Sequence, residues 1–97
     1  MGLINTIVSR YFSTEAFRFG KAVKCFNERK YERTVELLGQ MRNIAGFPKN
    51  NNEEAWDMLS GIMLGASYYA MHNFTAARQE FAGSYQKYRS VPPLNLG

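Results

Sequence analysis

Apolar residues recur every three to four positions along nearly all of this chain, and nowhere do they alternate convincingly with the period of two of a half-buried strand. That periodicity points to the all-α class. Leu3, Ile4, Ile7, Val8, Tyr11 and Phe12 fall at helical spacing with Asn5, Thr6, Ser9 and Arg10 opposite, predicting an amphipathic helix within residues 1–13. Ser13 or Thr14 can cap a second helix over 14–28, with Glu15 in its first turn. Phe17, Ala22 and Cys25 mark its core face, Phe19, Val23 and Phe26 widen it, and Arg18, Lys21 and Lys24 form the wet stripe. A third helix is expected over 31–45, burying Tyr31, Val35, Leu38 and Met41 with Leu37 and Ile44 beside them. Gly46 and Pro48 stop it. Asn51 or Asn52 can cap a fourth helix over 53–71, whose early Glu53, Glu54 and Asp57 suit the helix dipole. His72 and Asn73 turn the chain into a fifth helix over 75–89, with Phe81 and Tyr85 as its core face and Ala77, Ala82 and Tyr88 beside them.

A chain of 97 residues suits one domain, 1–97. It divides into the amphipathic helix (1–13), a first helical hairpin (14–45), a loop (46–54), a second hairpin (55–89) and a loose tail (90–97) in which Pro92 and Pro93 end regular structure. At 45% hydrophobic residues the chain is too apolar to stay disordered. Its net charge of +4 is uneven: residues 1–52 hold nine basic and four acidic groups, residues 53–97 three and four. The basic half could attract an acidic protein, nucleic acid or an anionic membrane surface. Cys25, the single cysteine, excludes an internal disulfide and sits in an apolar run. Met1 to Arg10 lack the features of a signal peptide, and no apolar run reaches the ~20 residues of a membrane span, so a cytoplasmic protein is expected.

The two hairpins look like a repeat. Each turns just before an aromatic residue, Tyr31 and then Phe74, 43 residues apart. In the second hairpin Leu64-Gly65, Tyr68, Phe74, Ala77 and Phe81 stand at the spacing of the tetratricopeptide repeat, which this hairpin resembles. Small Gly65 and Ala77 would let paired helices approach, and Tyr68 and Phe81 would fill the gaps between them. Ser84 and Arg89 depart from the family pattern, and the first hairpin matches it more weakly: Ala22, Tyr31 and Leu38 fit, while Lys21, Cys25, Thr34 and Met41 do not. The family repeat is about 34 residues long, so the longer offset implies an inserted loop and an extra helical turn around residues 46–54. The resemblance spans about residues 15–89. It implies antiparallel hairpins behind an extra N-terminal helix, and protein–protein binding in a concave groove.

Little in the sequence suggests catalysis, a metal or another cofactor. His72, the single histidine, lies in a turn with no cysteine or acid nearby. Glu53, Glu54 and Asp57 lack the spaced histidines of a transition-metal site and the glycine-centred loop of a calcium site, so helix capping explains them. Gly61 and Gly65 sit within an apolar helix, where no phosphate-cradling loop forms. Arg29, Lys30 and Arg33 are interleaved with Glu28, Glu32 and Glu36, which favours solvated helix ends over a nucleic-acid face.

Surplus hydrophobicity is the informative feature. The tetratricopeptide resemblance places the groove on Ala16, Phe19, Val23 and Phe26 of one helix and Leu59, Ile62, Ala66 and Tyr69 of another, all apolar. Something should cover that row: the chain's own first helix, a second copy in a homo-oligomer, or an apolar helix of a partner. Met58, Met63 and Met71 add an adaptable surface. The leading expectation is a non-enzymatic cytoplasmic chaperone or adaptor. In size and helical make-up it is similar to the small tetratricopeptide-like chaperones of type III secretion that guard needle subunits. That resemblance implies a needle subunit and a second small co-chaperone as partners; the interleaved acids and the lack of a long apolar run argue for no nucleic acid and no integral membrane segment. The alternatives are a structural or regulatory subunit using the same groove, and a membrane-surface or nucleic-acid module using the basic half.

Overall fold

Two helical hairpins, laid side by side, make up the computed structural model, which describes residues 14–89. The first pairs α1 (Thr14–Asn27) with α2 (Tyr31–Arg42), and the second pairs α3 (Asn51–Ala70) with α4 (Phe74–Tyr88). Packing is most extensive within each hairpin, then between α2 and α3, with a smaller contact between α1 and α3. The result is an all-α, antiparallel four-helix arrangement, as the periodicity required. The N-terminal amphipathic helix and the loose tail expected from the sequence lie outside the described residues.

The two hairpin turns are built alike, 43 residues apart. In the first, the Lys30 N–H donates to the Cys25 carbonyl (2.8 Å) and the Arg29 N–H to that of Phe26 (3.0 Å). In the second, the Asn73 N–H donates to Tyr68 (2.8 Å) and the His72 N–H to Tyr69 (3.0 Å). Each is a Schellman turn around a residue in the left-handed region, Arg29 at φ 61° and His72 at φ 63°. An edge-to-face ring pair clasps each turn, Phe26 with Tyr31 at 6.0 Å and Tyr69 with Phe74 at 5.1 Å. His72 thus serves the backbone, in a conformation that histidine tolerates better than most residues.

The core lies between the first hairpin and α3. Ala22, Cys25, Leu37, Leu38, Met41 and Leu64 form it, flanked by Phe19, Val35, Phe47, Met63 and Tyr68. Thr34 is also fully buried, its hydroxyl satisfied by the Lys30 carbonyl at 2.8 Å. Several expected core residues lie elsewhere. Phe17 is 63% exposed, and so is the face of α4 that was to pack inward, with Phe81 at 42% and Tyr85 at 70%. Tyr68 is half-buried. The pair of hairpins has an outer side, and α4 stands on it, packed chiefly against α3, where α2 packs against both α1 and α3. Helix ends shift as well: α2 stops three residues short of Ala45, and α3 begins inside the stretch read as loop, where the Asn50 side chain accepts the Glu53 N–H at 2.9 Å.

Glycine brings α3 and α4 together. A Cβ on Gly65 would stand 2.4 Å from the Phe81 ring, and one on Gly61 only 1.6 Å from Ser84 Oγ. The close approach expected at Gly65 is present, and Gly61 supplies a second one a helical turn earlier. Phe81 therefore packs its ring against α3 at Gly65 while remaining 42% exposed.

Candidate functional site

Charge holds the hairpins in register. Asp57 on α3 is buried and receives Arg42 Nε from α2 at 3.3 Å, together with Lys87 Nζ at 2.7 Å and the Tyr88 hydroxyl at 2.5 Å from α4. Arg42 also bonds Ser60 Oγ (3.2 Å) and Glu80 (2.8 Å). Burial pushes the Asp57 carboxyl up, but the hydrogen bonds from Lys87 and Tyr88 and the nearby Arg42 outweigh it and hold the group below its usual range. The Tyr88 hydroxyl is pushed up by its burial and by the Asp57 carboxylate, so it stays a proton donor. A second cluster ties α1 to the start of α3: Lys49 Nζ reaches Glu15 at 2.7 Å and Glu53 at 3.5 Å. The Lys49 hydrogen bond holds the buried Glu15 carboxyl below its usual range. Sequence reading assigned Glu53 and Asp57 to capping. Lys49 stands only four residues before Glu53, but the partners Arg42 and Lys87 of Asp57, and the pairing of Lys49 with Glu15, carry no local signal.

Asp57 cross-links three helices and ties α3 to α4, and the outer side of that pair is apolar. Two cavities run along it. One, of about 550 Å³, is lined by Tyr69, Phe74, Ala77, Arg78, Phe81, Ala82 and Tyr85. The other, of about 300 Å³, is lined by Met58, Ile62, Phe81, Ser84, Tyr85, Tyr88 and Arg89. Phe81 and Tyr85 belong to both, so the two form one face from the turn to the free end of the hairpin.

The eight residues proposed from the sequence to line a groove divide between two surroundings. Leu59, Ile62 and Tyr69 on α3 are exposed, and Ala66 is half-buried. Ile62 and Tyr69 come together with α4 residues on the apolar face. On α1, Ala16, Phe19, Val23 and Phe26 are half-buried. Phe19 stacks on Trp56 with ring centroids 5.7 Å apart, and Phe26 meets Tyr31. Ile62 and Tyr69 thus find their neighbours on α4 instead of α1. Sequence reading had spent Phe81 and Tyr85 on the core, and Phe74 likewise. No local signal separates them from core residues, because an apolar stripe reads the same whether or not another helix covers it.

The basic end of the first hairpin is largely neutralised. Lys30 pairs with Glu28 at 3.1 Å and Arg33 with Glu36 at 2.9 Å. Among the described residues, no helix is long and apolar enough to cross a membrane. No protein-family model matches the chain, and neither a curated protein nor a solved structure matches it.

Proposed function

We propose that this protein is a non-catalytic chaperone or adaptor of tetratricopeptide-like design that holds an apolar helical segment of a partner protein against the outer face of its second hairpin. One observation carries the reading: Ile62, Tyr69, Phe74, Phe81 and Tyr85 are large, contiguous and exposed. Covering a half-wet side chain of this size is worth roughly 1 kcal/mol, so the five together offer an occupant about 5 kcal/mol. Contiguous apolar patches of this kind mark interaction sites.

On the sequence resemblance, the partner is a needle subunit of bacterial type III secretion, held in the cytoplasm together with a second small co-chaperone. The basic-module alternative draws less support, because Lys30 and Arg33 are already paired with local carboxylates and exposed pairs of that kind leave little net field.

The test is capture of partners from the native host by the intact protein, its Tyr85→Asp variant and its Tyr69→Asp variant, with helicity checked by circular dichroism. Both positions are too exposed for the change to unfold the chain. The expected outcome is loss of the specific partner at a cost of ~2 kcal/mol or more in affinity, as for aromatic anchors elsewhere. Unchanged capture by both folded variants would refute the reading.

A further inference from the structure

The apolar face carries a charge signature. Arg78 lines one of its cavities and Arg89 the other, and no acidic residue lines either. Neither arginine has an ion pair or hydrogen bond among the described residues. They stand eleven residues apart, three helical turns, which places them on one side of α4 about 16 Å from each other with Phe81 and Tyr85 between.

The first hairpin shows how such a face is covered in this fold. Val35, Leu38 and Arg42 of α2 hold the positions 43 residues before Arg78, Phe81 and Tyr85. There the covering helix is α3. It places Leu64 in the core beside Leu38 and presents Asp57 to Arg42 at 3.3 Å. Coverage there combines an apolar stripe with a carboxylate aimed at an arginine of the hairpin beneath; Arg42 matches Tyr85 in the frame, so the arginines of the second hairpin, Arg78 and Arg89, flank that position instead of repeating it.

From this geometry we infer that the second hairpin receives an acidic amphipathic helix of another protein, with carboxylates about eleven residues apart flanking an apolar stripe, one for Arg78 and one for Arg89. The inference rests on the helix-binding reading of the same face and specifies its partner. Charge complementarity selects among occupants. Residues 1–13 contain Arg10 and no acid, and residues 90–97 contain no charged side chain. A second copy docking by the same face would set arginines toward arginines, since a two-fold interface is self-facing.

The test uses the full chain and three synthetic helical peptides of about 18 residues, long enough to span both arginines. They share one apolar stripe and carry Glu, Gln or Lys at two positions eleven apart. Fluorescence anisotropy at low salt should rank them Glu over Gln over Lys, with roughly fivefold between successive peptides, as two exposed charge pairs allow. The gap should narrow as salt rises. The double variant Arg78→Glu with Arg89→Glu should invert the order, and Tyr85→Asp should weaken all three. Equal binding of the three peptides, still lost in Tyr85→Asp, overturns the acidic specificity and leaves the apolar docking reading standing. Binding indifferent to Tyr85→Asp, or no binding by any peptide, overturns both. Self-association of the wild type that Tyr85→Asp abolishes, or tighter peptide binding after deletion of residues 1–13, identifies a different occupant and likewise overturns the inference.

Discussion

The two hairpins share a turn, a ring clasp and a 43-residue frame, yet one is interior and the other is half a surface. Leu38 on α2 is fully buried, while Phe81, its counterpart on α4, is 42% exposed. The same contrast separates Met41, buried, from Ser84, half-buried. The side chains do not account for this, since phenylalanine is as apolar as leucine. Placement among the other helices does. The first hairpin has α3 laid across it, and the second has no equivalent helix among the described residues.

That contrast predicts unequal costs for equivalent truncations. Leu38→Ala should destabilise by about 3–4 kcal/mol, the range for a fully buried leucine. Phe81→Ala should cost about half as much, despite removing a larger side chain, because its ring is already partly hydrated. Urea unfolding followed by circular dichroism measures both. Equal costs would mean that the outer face is covered in solution and would break the comparison.

Asp57 sits at the joint between the hairpins, and its removal should uncouple them. Asp57→Ala leaves Arg42 and Lys87 without their shared acceptor, an expected loss of about 1–2 kcal/mol, because Lys87 is half exposed and Arg42 keeps Glu80. The same joint gives a pH dependence of known sign. Asp57 and Glu15 are held below their ordinary values of 3.8 and 4.5, so the folded state binds protons less readily than the unfolded chain. Their contribution is full above about pH 4.5 and is lost as pH falls through the lowered folded values. The urea midpoint of the wild type should drop across that window, and the drop should shrink in Asp57→Ala. A midpoint flat down to about pH 3 would contradict the network.

The smallest expected effect is where the hairpins agree. Arg29→Gly and His72→Gly should each shift stability by no more than about 1 kcal/mol, and by similar amounts, because relief at a left-handed residue is offset by unfolded-chain entropy. A clear difference in thermal midpoint between the two would show that the turns are less alike than their hydrogen bonds.

Local pattern sufficed for the helices and turns. Periodicity of three to four, an asparagine run before acids, whose cap falls on Asn50 where Asn51 or Asn52 was expected, and Asn27 to Lys30 between two apolar runs each act within a few residues, where propensity and capping operate. The frame between Tyr31 and Phe74 and the tight approach at Gly65 were legible for the same reason: they depend on residue size and spacing along one chain segment. What covers an apolar stripe is a different kind of fact. Phe17, Phe81 and Tyr85 carry the stripe of a core residue, and they are exposed because none of the described helices lies over them. Asp57 reads as a dipole partner of its own helix until Arg42 and Lys87 arrive from 15 and 30 residues away. The sequence by itself determined which surfaces are apolar or charged. Tertiary structure alone decided which of them are used up in folding and which remain available to a partner, because burial depends on the placement of other helices and not on the residues buried.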